Sequence, residues 1–335
     1  MRPYTEIDRY REMTQMQQYL VHEFIDDYHD GVMSRRDMVR RVLHIAGGVA
    51  ATATLLTTMG VPTATAQDAT PAAGTPSMAT PTGPQSPLSV PEDDSRVTST
   101  TITFPGGDGA TITAYEARPA SGGATPAGGT LPLVLVCHEN RGLTDHIKDV
   151  TRRWATNGYV AVAPDLLSRE GGTTGVADPA QIPSILSEGD SNRHVADFQA
   201  AITNYSSDAS VDSGRIGMNG FCFGGGITWR TICAAPEIRV AAPFYGPPPP
   251  LDQVPNIQAA VLGVYSADPT DFANNGRDEL EAALTSAGKT FRITAYPGTE
   301  HAFNNDTGPR YNEEQALAAW QDTQDWFSQY LAGSS

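Results

Sequence analysis

A cysteine in a glycine-rich turn is the residue of this sequence best suited to nucleophilic chemistry. Residues 220–226 read Gly-Phe-Cys-Phe-Gly-Gly-Gly, with an apolar, β-prone run before them and a helix-compatible run after them. A nucleophile on a tight strand-to-helix turn needs small neighbours, because larger side chains would force the strand and helix apart. The positive end of the following helix favours a thiolate. The pattern predicts that Cys222 is a nucleophile; the alternative is a buried structural cysteine.

Two further residues that could act on a thiol follow later predicted strands. Asp268 comes soon after one strand, and His301 comes soon after the next. The carboxyl ends of parallel strands meet at one edge of a sheet, where such folds place their sites. We therefore expect His301 to accept the Cys222 proton and Asp268 to orient the imidazole. Asp271 is the alternative acid, and Asp268 is preferred because it lies nearer to the end of its strand.

A fourth loop, residues 137–142, follows a strand that is apolar on both faces and reads Cys-His-Glu-Asn-Arg-Gly. The tight strand-to-helix turn that carries a nucleophile is called a nucleophile elbow. In folds with such an elbow, a loop in this position supplies half of the oxyanion hole. The backbone N–H groups of Asn140 and Phe223 are the predicted donors. Glu139 is expected to lie close enough to contact the Cys222 thiol, and the alternative is a loop carboxylate paired with Arg141.

The order of predicted elements indicates an α/β fold. A doubly wound, mostly parallel sheet is expected, with an antiparallel N-terminal hairpin and helices on both faces. The predicted strands are 97–104, 111–117, 131–136, 159–163, 215–219, 239–245, 259–265 and 290–296, and the predicted helices are 145–157, 191–205, 227–235, 276–287 and 313–331.

Four segments carry a resemblance that extends over residues 97–332. They are residues 138–142, 220–225, 268–269 and 298–303. The chain resembles the dienelactone hydrolase family of the α/β-hydrolase superfamily, and its cysteine elbow separates it from serine esterases. The resemblance implies hydrolysis of an ester or lactone ring by a Cys-His-Asp triad, with no metal and no cofactor. It also implies that Glu139 contacts the resting thiol, so that substrate binding helps to release a thiolate.

Other residues are candidates for binding substrate or for packing in the core. Arg141 and Arg193 are the candidates for binding a substrate carboxylate, as the family does. Tyr245 precedes the run Gly-Pro-Pro-Pro-Pro and could form a rigid pocket wall with it; the alternative is a stiff loop. His138 could line the same pocket. Cys137 and Cys233 are expected in the core, because both lie on apolar segments.

Charge and cysteine content exclude several classes of function. The formal net charge is -16, which disfavours nucleic acid and anionic membrane surfaces as partners. The three cysteines form no C-x-x-C pair, so neither a zinc site nor a dithiol redox site is indicated. The resemblance to the dienelactone hydrolase family implies a small-molecule ester or lactone as the binding partner of the folded domain.

The first 66 residues resemble a twin-arginine export signal with a long n-region. Arg35 and Arg36 precede an apolar run at 42–61, and Ala-Thr-Ala at 64–66 fits a cleavage site that leaves Gln67 first. The twin-arginine export machinery is thus an expected partner. The mature protein should be periplasmic or secreted, without stable membrane association. The alternative is a protein anchored in the membrane by an uncleaved 42–61 segment.

The remaining chain divides into a linker and one domain. Residues 67–95 are rich in Pro, Thr, Ala, Ser and Gly, which predicts a disordered linker, and residues 96–335 should form the α/β-hydrolase domain. The expected activity is that of an exported hydrolase working through an acyl-cysteine intermediate. The alternatives are a broader carboxylesterase or thioesterase, and a non-catalytic binding protein on the same fold.

Overall fold

The computed structural model shows a chain of two units, Met1–Pro81 and Thr82–Ser335. Described residues are 15–29, 31, 33–61, 83–120 and 129–331.

The first unit contains three helices in its described part: α1 (Gln15–His29), α2 (Arg35–Ala46) and α3 (Val49–Thr58). Ser34 caps α2, because its hydroxyl accepts a hydrogen bond of 3.2 Å from the N–H of Asp37. Gly47, with φ of 71°, ends α2 in a left-handed conformation. Among the described residues, no helix combines the length and the apolar character needed to cross a membrane. The predicted cleavage site at 64–66 lies outside the described residues.

The second unit is built on an eight-stranded sheet. Its strands are β1 (Val97–Pro105), β2 (Thr111–Pro119), β3 (Leu131–Cys137), β4 (Val160–Pro164), β5 (Val211–Phe221), β6 (Ile238–Phe244), β7 (Ala260–Ser266) and β8 (Phe291–Tyr296). They lie in the order β1-β2-β4-β3-β5-β6-β7-β8. The hairpin β1–β2 is antiparallel, β2 also pairs antiparallel with β4, and the remaining pairs are parallel. This arrangement confirms the predicted fold class.

Helices cover both faces of this sheet. The crossover after β3 runs to one side in the strand order and the later crossovers run to the other, so right-handed connections place their helices on opposite faces. Trp154 of the helix Asp145–Thr156 packs against Trp320 and Phe327 of the C-terminal helix Glu313–Leu331, with ring centroids 5.0 and 4.5 Å away. The helices Ser191–Ser206 and Phe223–Ala234 pack against each other. The helices are α4 (Asp145–Thr156), α5 (Ile182–Glu188), α6 (Ser191–Ser206), α7 (Phe223–Ala234), α8 (Arg277–Ser286) and α9 (Glu313–Leu331).

The folded unit begins earlier than the sequence predicts, because residues 83–95 pack on the domain. The N–H of Ser86 donates to the Asp306 carboxylate at 3.1 Å, and the N–H of Val90 donates to Asp149 at 2.6 Å. The Val90 carbonyl accepts from the Arg152 guanidinium at 2.6 Å. Buried charged side chains thus satisfy a backbone that has no strand partner, which composition alone does not reveal.

Candidate active site

Cys222 occupies the turn between the last residue of β5 and the first residue of α7. Its φ of 61° and ψ of -121° are unfavourable for a residue with a Cβ atom. The conformation is held by hydrogen bonds, since the Cys222 N–H donates to the Phe244 carbonyl at 2.9 Å and its carbonyl accepts from Gly226 at 3.1 Å. A strained backbone that its surroundings hold in place is a feature of functional sites.

The glycines of the motif are required by close backbone contacts. A Cβ atom on Gly220 would lie 2.3 Å from the Gly224 carbonyl oxygen, and one on Gly224 would lie 2.4 Å from the carbonyl oxygen of His138. Neither distance is possible for a real side chain. The loop after β3 therefore runs directly against the first turn of α7, and this places the backbone near Asn140 beside the elbow.

His301 lies in the loop after β8 and faces the cysteine. A ring nitrogen of His301 and the Cys222 sulfur lie within 4.8 Å of each other. The Nδ1 atom of His301 forms a hydrogen bond of 3.0 Å with Oδ1 of Asp271. With Nδ1 paired to a carboxylate, Nε2 is the nitrogen left to exchange a proton with the thiol, as in a nucleophile–histidine–acid triad.

The carboxylate beside the histidine is Asp271, so the structure does not support the prediction of Asp268. Oδ1 of Asp268 accepts from the N–H and hydroxyl of Thr270, at 2.8 and 2.7 Å, and so stabilises its own turn. That turn brings Asp271 back over the end of β7, where Oδ2 accepts from the Ser266 hydroxyl at 2.5 Å. Proximity to the strand end along the sequence was the wrong criterion, because the chain reverses between the two aspartates.

The pKa values of the pair move in opposite directions. Burial disfavours the imidazolium of His301, but the charge and hydrogen bond of Asp271, together with those of Cys222, outweigh it and raise the His301 pKa well above 6.5. Burial likewise disfavours the Asp271 carboxylate, yet the charge and hydrogen bond of His301 hold its pKa below 3.8. The arrangement therefore stabilises imidazolium, which is the form that results when His301 takes the thiol proton.

His138 anchors the loop after β3 through both nitrogens of its ring. Its Nε2 accepts a hydrogen bond of 3.1 Å from the N–H of Leu166, so Nδ1 carries the proton and donates to the Glu139 carbonyl at 2.7 Å. Burial, the largest effect, lowers the pKa of His138, in keeping with this neutral form. The residue fixes the path of the backbone at Glu139, and this is a more specific role than pocket lining.

Glu139 is buried and has a partner that the sequence did not suggest. Its Oε2 accepts a hydrogen bond of 2.7 Å from Nδ2 of Asn305, four positions after His301. The loop that carries Glu139 and the loop that carries His301 are thus joined directly. No motif marked Asn305, since the pairing depends on how two distant loops meet.

The two candidate arginines lie in different surroundings. Arg141 is exposed. Arg193 lies 3.7 Å from Glu170 in an ion pair.

Tyr245, the other predicted pocket residue, lies against the histidine. Its ring packs edge-on against the His301 ring, with centroids 5.1 Å apart. Among the residues that the structure describes, the non-glycine residues with positive φ are Cys222, Tyr245 and Ala302. All three belong to this site or directly adjoin it, so the backbone strain in the described chain is concentrated here.

The other two cysteines are packed thiols, as predicted. Cys137 and Cys233 are both buried. Burial raises the pKa of Cys137 well above 9.0 and, for Cys233, to about 12. Neither is suited to act as a nucleophile at neutral pH, because the reactive form of cysteine is the thiolate.

An α/β-hydrolase is the class defined by this sheet, the elbow at the end of β5 and the histidine and acid after later strands. Residues 120–331 match the model of the dienelactone hydrolase family, and the chain belongs to that family. It is a carboxylic ester hydrolase of the dienelactone hydrolase type.

Known relatives extend over most of the folded domain. The chain is 35% identical to a "Putative carboxymethylenebutenolidase" of Methylorubrum extorquens over 65% of this chain and 77% of the relative. A protein of Salmonella typhi with the same description is 32% identical over 74% of this chain and 93% of the relative. The crystal structure of a "Putative Dienelactone Hydrolase" from Klebsiella pneumoniae superimposes with a TM-score of 0.63 at 32% identity, covering 70% of this chain and 99% of that one.

Proposed function

We propose that the protein hydrolyses an ester or lactone of the dienelactone type, as a carboxymethylenebutenolidase does, through an acyl-cysteine intermediate. The observation that carries the proposal is the alignment of Cys222, His301 and Asp271. The sulfur and a ring nitrogen lie within 4.8 Å, and the other ring nitrogen is hydrogen-bonded to the acid at 3.0 Å. The names of the relatives support the choice of an oxygen ester or lactone as substrate.

The first half of the reaction forms the acyl-enzyme. His301 takes the Cys222 proton, and the thiolate attacks the carbonyl carbon to form the C–S bond and an oxyanion. As the oxyanion collapses, the bond to the ester oxygen breaks, and His301 gives its proton to that oxygen. In a lactone the leaving alcohol, or enol, stays attached to the acyl group, so ring opening and acylation are one step.

The second half regenerates the thiol. His301 takes a proton from water, and the hydroxide adds to the thioester carbonyl. The C–S bond then breaks to release the carboxylic acid, and His301 returns its proton to the sulfur. The N–H groups of Phe223 and Asn140 are the proposed donors to the oxyanion in both halves. Phe223 opens α7, where the first N–H groups of a helix have no acceptor within the helix.

A substrate panel tests the proposal. Purified protein is assayed against enol lactones, saturated lactones, aryl esters and thioesters, with a Cys222→Ser variant as control. We expect the native protein to hydrolyse lactones, with enol lactones as its best substrates. Activity confined to simple aryl esters or thioesters would favour the alternative of a broader carboxylesterase or thioesterase. No turnover of any substrate would favour a binding protein on the same fold.

The role of Glu139 gives a separate prediction. A buried carboxylate near the thiol opposes thiolate formation by like-charge repulsion, and a neutral thiol resists oxidation. Glu139→Gln should therefore speed alkylation by iodoacetamide by about tenfold, since a like charge nearby shifts an ionisation by a unit or more. Turnover should fall by at least about tenfold, because substrate binding no longer controls activation of the thiol.

The matched control for this variant is Glu300→Gln, which removes an exposed carboxylate next to His301 in the sequence. It should change neither rate appreciably. Slower alkylation in Glu139→Gln would show that the carboxylate assists the thiolate, and the proposed restraint on the thiol would then be wrong.

We also propose that the protein is exported by the twin-arginine route and cleaved before Gln67. The support is the Ser-Arg-Arg-Asp-Met sequence at 34–38, the apolar run after it and the Ala-Thr-Ala at 64–66. This route carries folded proteins, so the domain can fold around Cys222 in the cytoplasm before export.

Replacing Arg35 and Arg36 by lysine should retain the precursor in the cytoplasm, because the paired arginines are the element that the machinery recognises. Cell fractionation measures the distribution, and N-terminal sequencing of the exported protein should begin at Gln67. An exported protein that still contains residues 35–60 would instead support the membrane-anchor alternative.

A further inference from the structure

The hydroxyl group of Tyr245 is a buried donor that the described structure leaves without a partner. The residue has no exposed surface, and its oxygen forms no hydrogen bond with any described residue. Buried polar groups in folded proteins are nearly always hydrogen-bonded, because desolvation without a partner costs stability. The Tyr245 hydroxyl is therefore a donor that still needs an acceptor, and a bound substrate can supply one.

The backbone at Tyr245 is held in a conformation that costs energy and fixes the side chain. Its φ is 36°, a value that residues other than glycine rarely adopt. Its N–H donates to the Val264 carbonyl at 2.6 Å, and the carbonyl of Gly246 accepts from the Tyr265 hydroxyl at 3.1 Å. A Cβ atom on Gly246 would lie 2.2 Å from the backbone of Gly225, so the chain cannot relax toward α7. Such enforced strain is found at functional sites.

The side chain is held among the catalytic groups. Its ring contacts the rings of His301 and Phe303, at centroid distances of 5.1 and 5.8 Å. Burial raises the pKa of Tyr245 well above 10.0, and the negative charges of Glu139 and Cys222 add to the effect. The hydroxyl is therefore protonated wherever the enzyme could work, and it is close enough to the nucleophile to be affected by its charge.

We propose that the Tyr245 hydroxyl donates a hydrogen bond to an oxygen of the reacting ester or lactone group. This inference rests on the proposed function and adds a side-chain donor to the two backbone N–H groups. The substrate supplies the missing acceptor, so the cost of the unpaired hydroxyl is recovered only in the complex. A donor that the fold holds in place before the substrate arrives stabilises a developing negative charge effectively.

Tyr245→Phe tests the inference, because it removes the oxygen and keeps the ring against His301. We expect kcat for the best substrate of the panel to fall by about 100-fold, the order found when one such donor is lost. The melting temperature should stay the same or rise, since the variant removes an unpaired buried hydroxyl. The rate of Cys222 alkylation by iodoacetamide should be unchanged, because the cysteine and histidine are untouched.

Tyr205→Phe is the matched control. Tyr205 is also buried, but its hydroxyl donates to the carboxylate of Glu116, away from the site. This variant should lower the melting temperature and leave kcat unchanged.

Two results would overturn the inference alone. One is an unchanged kcat in Tyr245→Phe together with an inactive Cys222→Ala, which would show that the hydroxyl takes no part. The other is a parallel fall in kcat and alkylation rate, which would place its effect on the thiol instead of the substrate. A native protein inactive on the whole panel would overturn the proposed function instead, so the two failures are distinguishable.

Discussion

Replacing Cys222 by alanine should abolish ester and lactone hydrolysis and leave the protein folded. The expected loss is about a millionfold, the order seen when a hydrolase loses its nucleophile. Without the Cys222 sulfur no acyl-enzyme can form, and the remaining hydrogen-bond donors can only polarise the substrate carbonyl. Steady-state assays on the best substrate of the panel give the rate, and the melting temperature reports the fold. Near-native activity in this variant would rule out the acyl-cysteine mechanism.

Labelling with iodoacetamide provides an independent measurement on the native protein. Cys222 should be alkylated well before Cys137 and Cys233, whose pKa values burial raises. Peptide mapping by mass spectrometry identifies the modified residue, and inactivation should follow modification of Cys222 in time. Cys137→Ala and Cys233→Ala are the control variants, and each should keep its activity and its sensitivity to the reagent. Inactivation that followed the labelling of Cys137 would assign the reactive thiol differently.

Sequence was most informative where the physical constraints are local. The run at 131–136 is apolar on both faces, as expected for a parallel strand that is covered on both sides. β3 (Leu131–Cys137) lies in the sheet as predicted. The nucleophile elbow was equally predictable from the sequence. Gly220 and Gly224 have no room for a Cβ atom, so this turn requires glycine at both positions. The nucleophile, the histidine and the order of the elements followed from these features.

Sequence was least informative where a contact joins distant loops. The bond from Asn305 to Glu139 depends on how the loops after β8 and β3 meet. The docking of residues 83–95 depends on buried charges from α4 and from Asp306, which no property of the segment itself indicates. Propensity and pattern describe neighbours along the chain, whereas these contacts are set by tertiary packing.

The choice between two aspartates three positions apart is the sharpest case of this limit, and it can be tested directly. Asp271→Asn should reduce kcat/KM by about a thousandfold or more, because an amide neither stabilises the imidazolium nor fixes the productive tautomer. Asp268→Asn should leave kcat/KM within about twofold, since an asparagine oxygen can still accept from Thr270 and surface changes have small effects. The pair of variants has the same chemical change and differs only in which carboxylate faces His301.

The pH dependence separates a catalytic acid from one that only supports the loop. Asp271 is the main reason that the His301 pKa lies above its ordinary value despite burial, so its neutral replacement should lower that pKa. Imidazolium, which protonates the leaving oxygen, exists only below the His301 pKa. The alkaline limb of the kcat profile should therefore move to lower pH in Asp271→Asn and stay in place in Asp268→Asn. If Asp271→Asn lost activity while its alkaline limb stayed in place, Asp271 would only hold the loop through Ser266. If only Asp268→Asn lost activity, Asp268 would be the acid of the triad.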